Sequence, residues 1–309
     1  MVKLFVAVTD NDWFDFLRHQ RELTEVNFWQ PRGSSVFRAL QPGELFLFKL
    51  HSPLNFVVGG GVFSHATNLP LPVAWEAFNI LNGARSLHAM RARIAYYRRE
   101  TPDPRADYQI GCRILTQPLF LDEAQWIPIP TSWSREIVVG KTFSADDEDG
   151  RRLWEAIESS LPARELPPGL AEAPAKFGEP TLIRPRLGQG AFRVAVTDAY
   201  SRRCSVTRER VLPVLEAAHI RPYAEGGHHE VSNGILLRRD VHRIFDLGYA
   251  TITPECRFEV SRRIKDDFDN GQEYFAMHGR RIKVPPDPLK QPNIDVIEWH
   301  NNNRYLTSY

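Results

Sequence analysis

CSVTRERVLPVLEAAHIRPYAEGGHHEVSNGILLRRDVHRIFDLG, residues 204–248, is the stretch on which the reading of the chain turns. Within it His219, Asn233 and His242 stand 14 and 9 residues apart, each in a different local setting. VLEAAHI is apolar and ends on His219, as a short strand with an imidazole at its tip would. Gly226 and Gly227 mark a tight loop, and Asn233-Gly234 is a turn pair. ILLRRDVHRIFDLG then puts Leu236, Leu237, Val241 and Phe245 on one apolar face. Asp240 is placed to cap the helical part, His242 and Asp246 fall at i and i+4 on one side, and Gly248 stops the helix. The predicted local plan is strand, loop, strand or turn, then helix. A His on the strand would face a His and an Asp on the helix.

That arrangement suits metal-assisted cleavage of a phosphodiester. An imidazole near its natural pKa takes a proton from water at neutral pH. A divalent cation on His242, with Asp246, would neutralise the scissile phosphate and the leaving oxygen. Asn233 can hold the loop or orient the base. A lone His is more often structural than catalytic, but three polar positions with Gly and apolar residues between them weigh against that. AAHIRPY, the GG pair, NG and HRIFD together resemble the HNH (ββα-metal) nucleases, in the version found in bacterial restriction endonucleases. The resemblance implies His219 as general base, Asn233 as the central Asn and His242 as the metal ligand on the helix. Asp246 falls where some members carry another ligand, and Asn233 is a further candidate. The implied cofactor is a divalent metal ion, Mg²⁺ first and Mn²⁺ next. Two departures stand out. Many members carry Asp or His just before the base, where this chain has Ala218. Many also hold a structural zinc on two CxxC pairs; here Cys204 is followed by Ser205-Val206-Thr207 and the next Cys is Cys256, so no structural zinc is expected.

A length of 309 residues predicts two domains. The 42% hydrophobic and 25% charged content is that of an ordinary globular protein. No apolar run is long enough to span a bilayer, so no membrane is expected. The start, MVKLFVAVTDNDW, reads as a strand entering a helix capped near Thr9 or Asp10 rather than a signal peptide. Three scattered Cys fit a reduced, cytoplasmic protein. The net charge of +1 argues weakly against nucleic acid, but its distribution does not. Arginines crowd the motif, and Arg221, Arg238, Arg239 and Arg243 are candidate phosphate contacts. A second Arg-rich run spans 85–100; for Arg98 and Arg99 a solvated helix face is an equal reading.

The predicted fold class is α+β. Residues 1–143 read as a strand-rich domain, a curved β-barrel with helices, built on KLFVAV, ELFLFKL, FVVGGGVF, IGCRIL and REIVVG. WFDFLRHQ and PVAWEAFNILN are helix candidates. EVNFWQPRG followed by FRALQPGELFLFKLHSPLNFVVGGGVF resembles the reader domains of the PUA superfamily, which include EVE and SRA domains. That resemblance implies base flipping: a modified base from DNA seated in an aromatic-walled pocket. Asn27, Trp29 and Pro31 of the VNFWQP loop, then Trp75, are the pocket candidates. Trp75 and Phe78, at helical spacing, read equally well as core. Gly59-Gly60-Gly61 lacks a following GK[ST] and predicts a bulge or close backbone approach rather than a phosphate loop. Residues 144–188 read as a junction: a capped helix over SADDEDGRRLWEAIESSL, then a Pro-rich extended linker. Residues 189–309 read as the nuclease domain. In it QGAFRVAVTDAY is a helix, YATITPECRFEVSRRI a strand pair, QEYFAMHGRRIKVPP a short extended element and IDVIEWHNNNRY a terminal helix carrying a structural or surface His300.

Together the resemblances imply a modification-dependent (type IV-like) restriction endonuclease. It would read 5-methylcytosine or 5-hydroxymethylcytosine in double-stranded DNA, cut nearby, and work as a homodimer against phage or foreign DNA. Two alternatives stay open: a reader of RNA or unmodified DNA on the same nuclease, and a non-catalytic DNA-binding module that lost its metal at Ala218.

Overall fold

A computed structural model describes residues 2–34, 36–101, 103, 105–160, 182–183 and 185–307. The chain forms two compact units, residues 1–188 and 189–309. Most of the expected Pro-rich linker lies outside the described residues.

The first unit is built on a seven-stranded mixed sheet with its strands in the order 25–30, 109–120, 56–70, 45–50, 3–9 and 140–144, and 127–128 pairing off 56–70. In chain order its elements are β1 (Lys3–Thr9), α1 (Asn11–Arg18), β2 (Glu25–Gln30), β3 (Leu45–Leu50), β4 (Phe56–Pro70), α2 (Leu71–Phe78), α3 (Leu87–Arg98), β5 (Gln109–Phe120), β6 (Ile127–Pro128), β7 (Gly140–Ser144) and α4 (Glu148–Ser160). β1 and β3 run parallel; the other pairs are antiparallel. The 15-residue β4 serves β3, β5 and β6 because its register against β5 shifts between Gly60 and Val62 and again between Phe63 and His65. Such bulges bend a strand. The glycines there are a packing requirement, since a Cβ on Gly60 would meet Leu47 and the Phe46 carbonyl at 2.7 Å. Asp10 caps α1, its carboxylate accepting from the Trp13 N–H at 2.9 Å.

Three sequence expectations change here. EVNFWQ is a strand, β2, and not a loop, because it finds a full antiparallel partner in β5, Asn27 opposite Ile114 and Trp29 opposite Cys112. The last strand, Gly140–Ser144, takes in only the final residue of REIVVG; Val138 and Val139 lie exposed ahead of it. The helix read as part of the junction belongs to the core of the first unit. Leu153, Trp154 and Ile157 pack with Leu4, Val6, Leu47 and Phe143, and an apolar stripe at that spacing must be buried against something.

The second unit runs α5 (Gln189–Ala199), β8 (Leu215–His219), β9 (Gly234–Arg238), α6 (Arg239–Asp246), β10 (Ala250–Ile252), β11 (Phe258–Val260), α7 (Arg263–Phe268), α8 (Gln272–Phe275) and α9 (Ile294–Asn303). β8 and β9 pair antiparallel from Leu215–Arg238 to His219–Gly234, and α6 follows β9 directly. This is the strand, strand, helix order the sequence predicts. Phe192, Val196 and Tyr200, four residues apart, all face the same core as Leu236, Val241 and Phe245. Two expectations differ. Asp240 is no cap; it lies in the first turn of α6 and pairs with Arg238 through two 2.7 Å bonds. QEYF turns into the short helix α8 instead of an extended segment, and the chain beyond it ties back to residues 256–258, with Arg281 bridging to Arg257. Cys204, fully buried, holds the hairpin: its sulfur accepts the N–H of Thr207 and of Arg238, each at 3.3 Å.

If α4 is part of the first core, Trp154→Ala should lower the stability of that unit by about 3–5 kcal/mol, as deleting a buried aromatic does. Denaturant unfolding followed on the first unit checks this; an unchanged midpoint would detach the helix from the sheet.

Candidate active site

β8 ends on His219 and α6 begins just past β9, so the hairpin register brings the strand-tip imidazole and the first turns of the helix to one cavity of about 630 Å³. Glu216, His219, His242, Arg243 and Asp246 line it, with Phe192, Arg193, Tyr223 and Arg304 around them. His219 lies flat on Phe192, ring centres 3.9 Å apart at 11°. Its Nε2 is 3.0 Å from Nδ1 of His229. Burial, with the like charges His229 and His242 beside it, pushes its pKa down to about 4 despite the opposing pull of Asp246. The ring is therefore neutral near pH 7.

His242 is set the other way. Burial disfavours its charged form, but hydrogen bonds and charge from Asp246 and Glu216 outweigh burial and raise its pKa. Its Nδ1 lies 2.8 Å from Glu216 Oε2 and its Nε2 3.2 Å from Asp246 Oδ2. Two imidazoles pushed in opposite directions at one cavity mark a division of labour: one free base, one group held against carboxylates.

Asn233 is buried and fully employed. Its Oδ1 accepts the Arg221 N–H at 2.9 Å; its Nδ2 donates to the Arg221 carbonyl at 2.9 Å and the His228 carbonyl at 3.0 Å. These three bonds fasten the loop, one of the uses open to Asn233 in sequence. Gly227 is required beside it, since a Cβ there would reach into the Arg221 backbone. Ala218 is fully buried in the core beneath the site.

Glu216 is the functional residue that sequence reasoning missed. It sits on the same strand as His219 and bridges α6 twice, to His242 and, through Oε1, to Arg239 Nε at 2.7 Å. Burial raises its pKa, but the bonds to His242 and Arg239 outweigh that and hold it low. Its signal was an acid two positions from Ala218 on a two-residue strand repeat.

Among the described residues, no three His, Cys, Asp or Glu side chains already surround one point suited to a metal. The donor chemistry fits a divalent cation at a smaller set. His242 Nε2 and Asp246 Oδ2, 3.2 Å apart, have the span of two adjacent ligands about an ion ~2.0–2.1 Å from each. Glu216 on the far nitrogen is the outer carboxylate that orients a ligating imidazole.

Of the candidate phosphate contacts, Arg238 is committed to Asp240 and Arg239 to Glu216. Arg221 donates to the Glu225 carbonyl at 2.7 Å and lies over Trp299. Arg243 is exposed on the cavity rim. His300 is buried at the edge of the cavity, stacked on Phe245 with ring centres 4.0 Å apart; its Nε2 donates to the Phe245 carbonyl at 3.3 Å.

In the first unit, Asn27 and Trp29 are buried and both bind Asn82. Asn27 Nδ2 donates to Asn82 Oδ1, and Trp29 Nε1 to its carbonyl, each at 2.9 Å. Pro31 accepts from Arg98 at 3.1 Å through its carbonyl, and Trp75 is half-buried. A separate cavity of about 640 Å³ lies between the start of α1 and α3, lined by Asp10, Asp12, His51, Arg93, Tyr96 and Tyr97. Tyr96 is 76% exposed, and Trp29 packs edge-on against Tyr97 at 6.3 Å. In the 85–100 run, Arg93 pairs with Asp10 and Asp12, and Arg98 with Glu100.

Residues 204–253 match the family model described as HNH endonuclease, and the matched span holds His219, Asn233, His242 and Asp246. The second unit therefore carries an HNH endonuclease domain. No curated protein matches the chain. Among solved structures, the crystal structure of ASCH from Zymomonas mobilis has 10% identity, covers 49% of this chain and 94% of its own, with a TM-score of 0.32. A structure titled modification dependent TagI restriction endonuclease has 14% identity, covers 92% of this chain and 76% of its own, with a TM-score of 0.29. At these scores neither likeness carries an argument. No helix among the described residues is long and apolar enough to cross a membrane.

Replacing Glu216 by Gln should weaken binding of Mg²⁺ or Mn²⁺ about 10- to 100-fold, the usual effect of losing an outer carboxylate; calorimetric titration of the ion into the full chain measures it. Unchanged affinity would remove Glu216 from the site. A second expectation concerns pH. His219 and His300 both fall from 6.5 to about 4. Above pH 6.5 neither folded nor unfolded chain protonates them. Between 6.5 and about 4 the unfolded chain takes up protons that the folded chain refuses, so stability falls as pH falls. The melting temperature of the second unit should drop between pH 7 and 5, and a flat profile would contradict the two shifts.

Proposed function

We propose that the chain is a modification-dependent DNA endonuclease of the restriction type. The first unit detects 5-methylcytosine or 5-hydroxymethylcytosine in double-stranded DNA by flipping the base, and the second hydrolyses a nearby phosphodiester. The observation that carries the cleavage half is the neutral His219 on the same cavity as the His242–Asp246 pair.

His219 takes the proton of the attacking water. Phe192 beneath it and His229 beside it hold its ring, and Asn233 fixes the loop that carries His229. His242 and Asp246 hold the divalent cation, Mg²⁺ in the cell, with Glu216 orienting His242. When bound, the ion neutralises charge on the phosphate and the leaving oxygen. Arg243, exposed on the cavity rim, supplies positive charge that receives the backbone.

For the reader, the open cavity at Tyr96 and Tyr97 supports the proposal better than Asn27 and Trp29 taken alone, whose polar atoms already serve Asn82. Trp29 is then the wall behind Tyr97, and the exposed Tyr96 ring is a stacking face. The reader comprises residues 1–143 with α4, and the remainder up to 188 joins it to the nuclease. Cutting both strands needs two sites, which a homodimer supplies. The role is defence of a bacterial cytoplasm against phage or foreign DNA.

The test is metal-dependent nicking of methylated and unmethylated plasmid. Preferential cutting of methylated plasmid is expected; equal cutting would point to a reader of unmodified DNA, and none under any metal to a binding module. His219→Ala should reduce cutting by about 10²- to 10⁴-fold, the contribution of a general base, while leaving DNA binding intact. Retained cleavage would mean that another group is the base.

A further inference from the structure

His229 lies outside the expected motif, yet among the described residues its Nδ1 sits within hydrogen-bond distance of a ring nitrogen of His219, Nε2, at 3.0 Å. Burial, then the neighbouring His228, lowers the His229 pKa, and burial lowers that of His219. Both rings are thus neutral at neutral pH, and a bond between two neutral imidazoles needs one to donate and the other to accept.

The two rings are held between aromatic plates. Phe192 stacks on His219, and Tyr223 stacks on His229 with ring centres 4.6 Å apart at 7°. The chain just before His229 is pinned as well, because the His228 carbonyl accepts from Asn233 Nδ2. Neither imidazole can turn without giving up its stack.

Polarity then decides chemistry. If His229 donated to Nε2 of His219, the remaining proton of neutral His219 would sit on Nδ1, and no lone pair would be left for water. If His219 donates from Nε2, its lone pair lies on Nδ1, free to act. We propose that His229 is a positioning residue that accepts the Nε2–H of His219, so fixing the tautomer and ring orientation of the base. This rests on the reading of His219 as general base.

The experiment uses the full-length chain labelled with ¹⁵N-histidine, together with cleavage kinetics on plasmid in Mg²⁺. In the wild type the His219 ring should show its proton on Nε2, the resonance being assigned by its loss in His219→Gln. His229→Ala should give averaged ring nitrogens for His219 and lower kcat by about 10²-fold, within the range of a misplaced general base, with KM little changed. His229→Asn, whose Oδ1 takes the place of Nδ1 as acceptor, should restore most of the rate and the Nε2–H signature. A wild-type proton on Nδ1 would overturn the proposal. So would a His229→Ala variant that keeps both signature and rate, or an Asn variant no better than Ala. Cleavage by His219→Ala would instead sink the general-base reading, and the ring signatures keep that failure distinct from failure of the His219–His229 bond.

Discussion

The site depends on the amide of Asn233. Three hydrogen bonds from one buried side chain tie the end of the β8–β9 connection back on itself, through both backbone groups of Arg221 and the carbonyl of His228. Each such bond contributes about 0.5–1.5 kcal/mol net, but an orphaned buried partner costs about 1–3 kcal/mol. The larger consequence is geometric. The loop so closed leaves His219 at the strand tip and returns the chain to β9 in the register that puts α6 opposite. His242 and Asp246 inherit their positions from that register.

Around this clamp the electrostatics are divided. His219 rests against aromatic rings and another imidazole, so its charged form is disfavoured. His242, on the helix lining the same cavity, sits between two carboxylates, so its charged form is favoured. One cavity thus contains an acceptor of protons and a holder of positive charge. Glu216 keeps the second half neutral overall by binding Arg239 as well. Most of the nearby arginines expected to meet phosphate are spent on such internal pairs, which leaves Arg243 among the few facing outward.

The nuclease half was legible in sequence because its signals are local. A strand ending in His, a Gly-Gly loop, Asn-Gly and an i, i+4 His–Asp pair each imply a geometry over a few residues. Glu216 was not legible, because its importance comes from pairing across the hairpin to α6, 26 residues on. The capping role expected of Asp240 does not arise, because Arg238 occupies the cap position and Asp240 falls inside the first turn, where its carboxylate pairs with the Arg238 guanidinium. In the first unit the same limit cost more. EVNFWQ carries two aromatics and an Asn and reads as a loop, yet it is an inner-facing strand because β5 lies beside it. Which polar residues of a sheet domain are buried depends on pairings 85 residues apart, as between Asn27 and Cys112. Local pattern holds no information about those.

Cys204 adds something of a different kind. Its thiol is wholly buried and carries two backbone amides, one from its own turn and one from the junction of β9 and α6. An alkylating reagent reaches such a sulfur only when the hairpin and helix part company. The rate at which that thiol is modified is therefore a clock, built into the chain, for how often the catalytic unit comes apart at its seam.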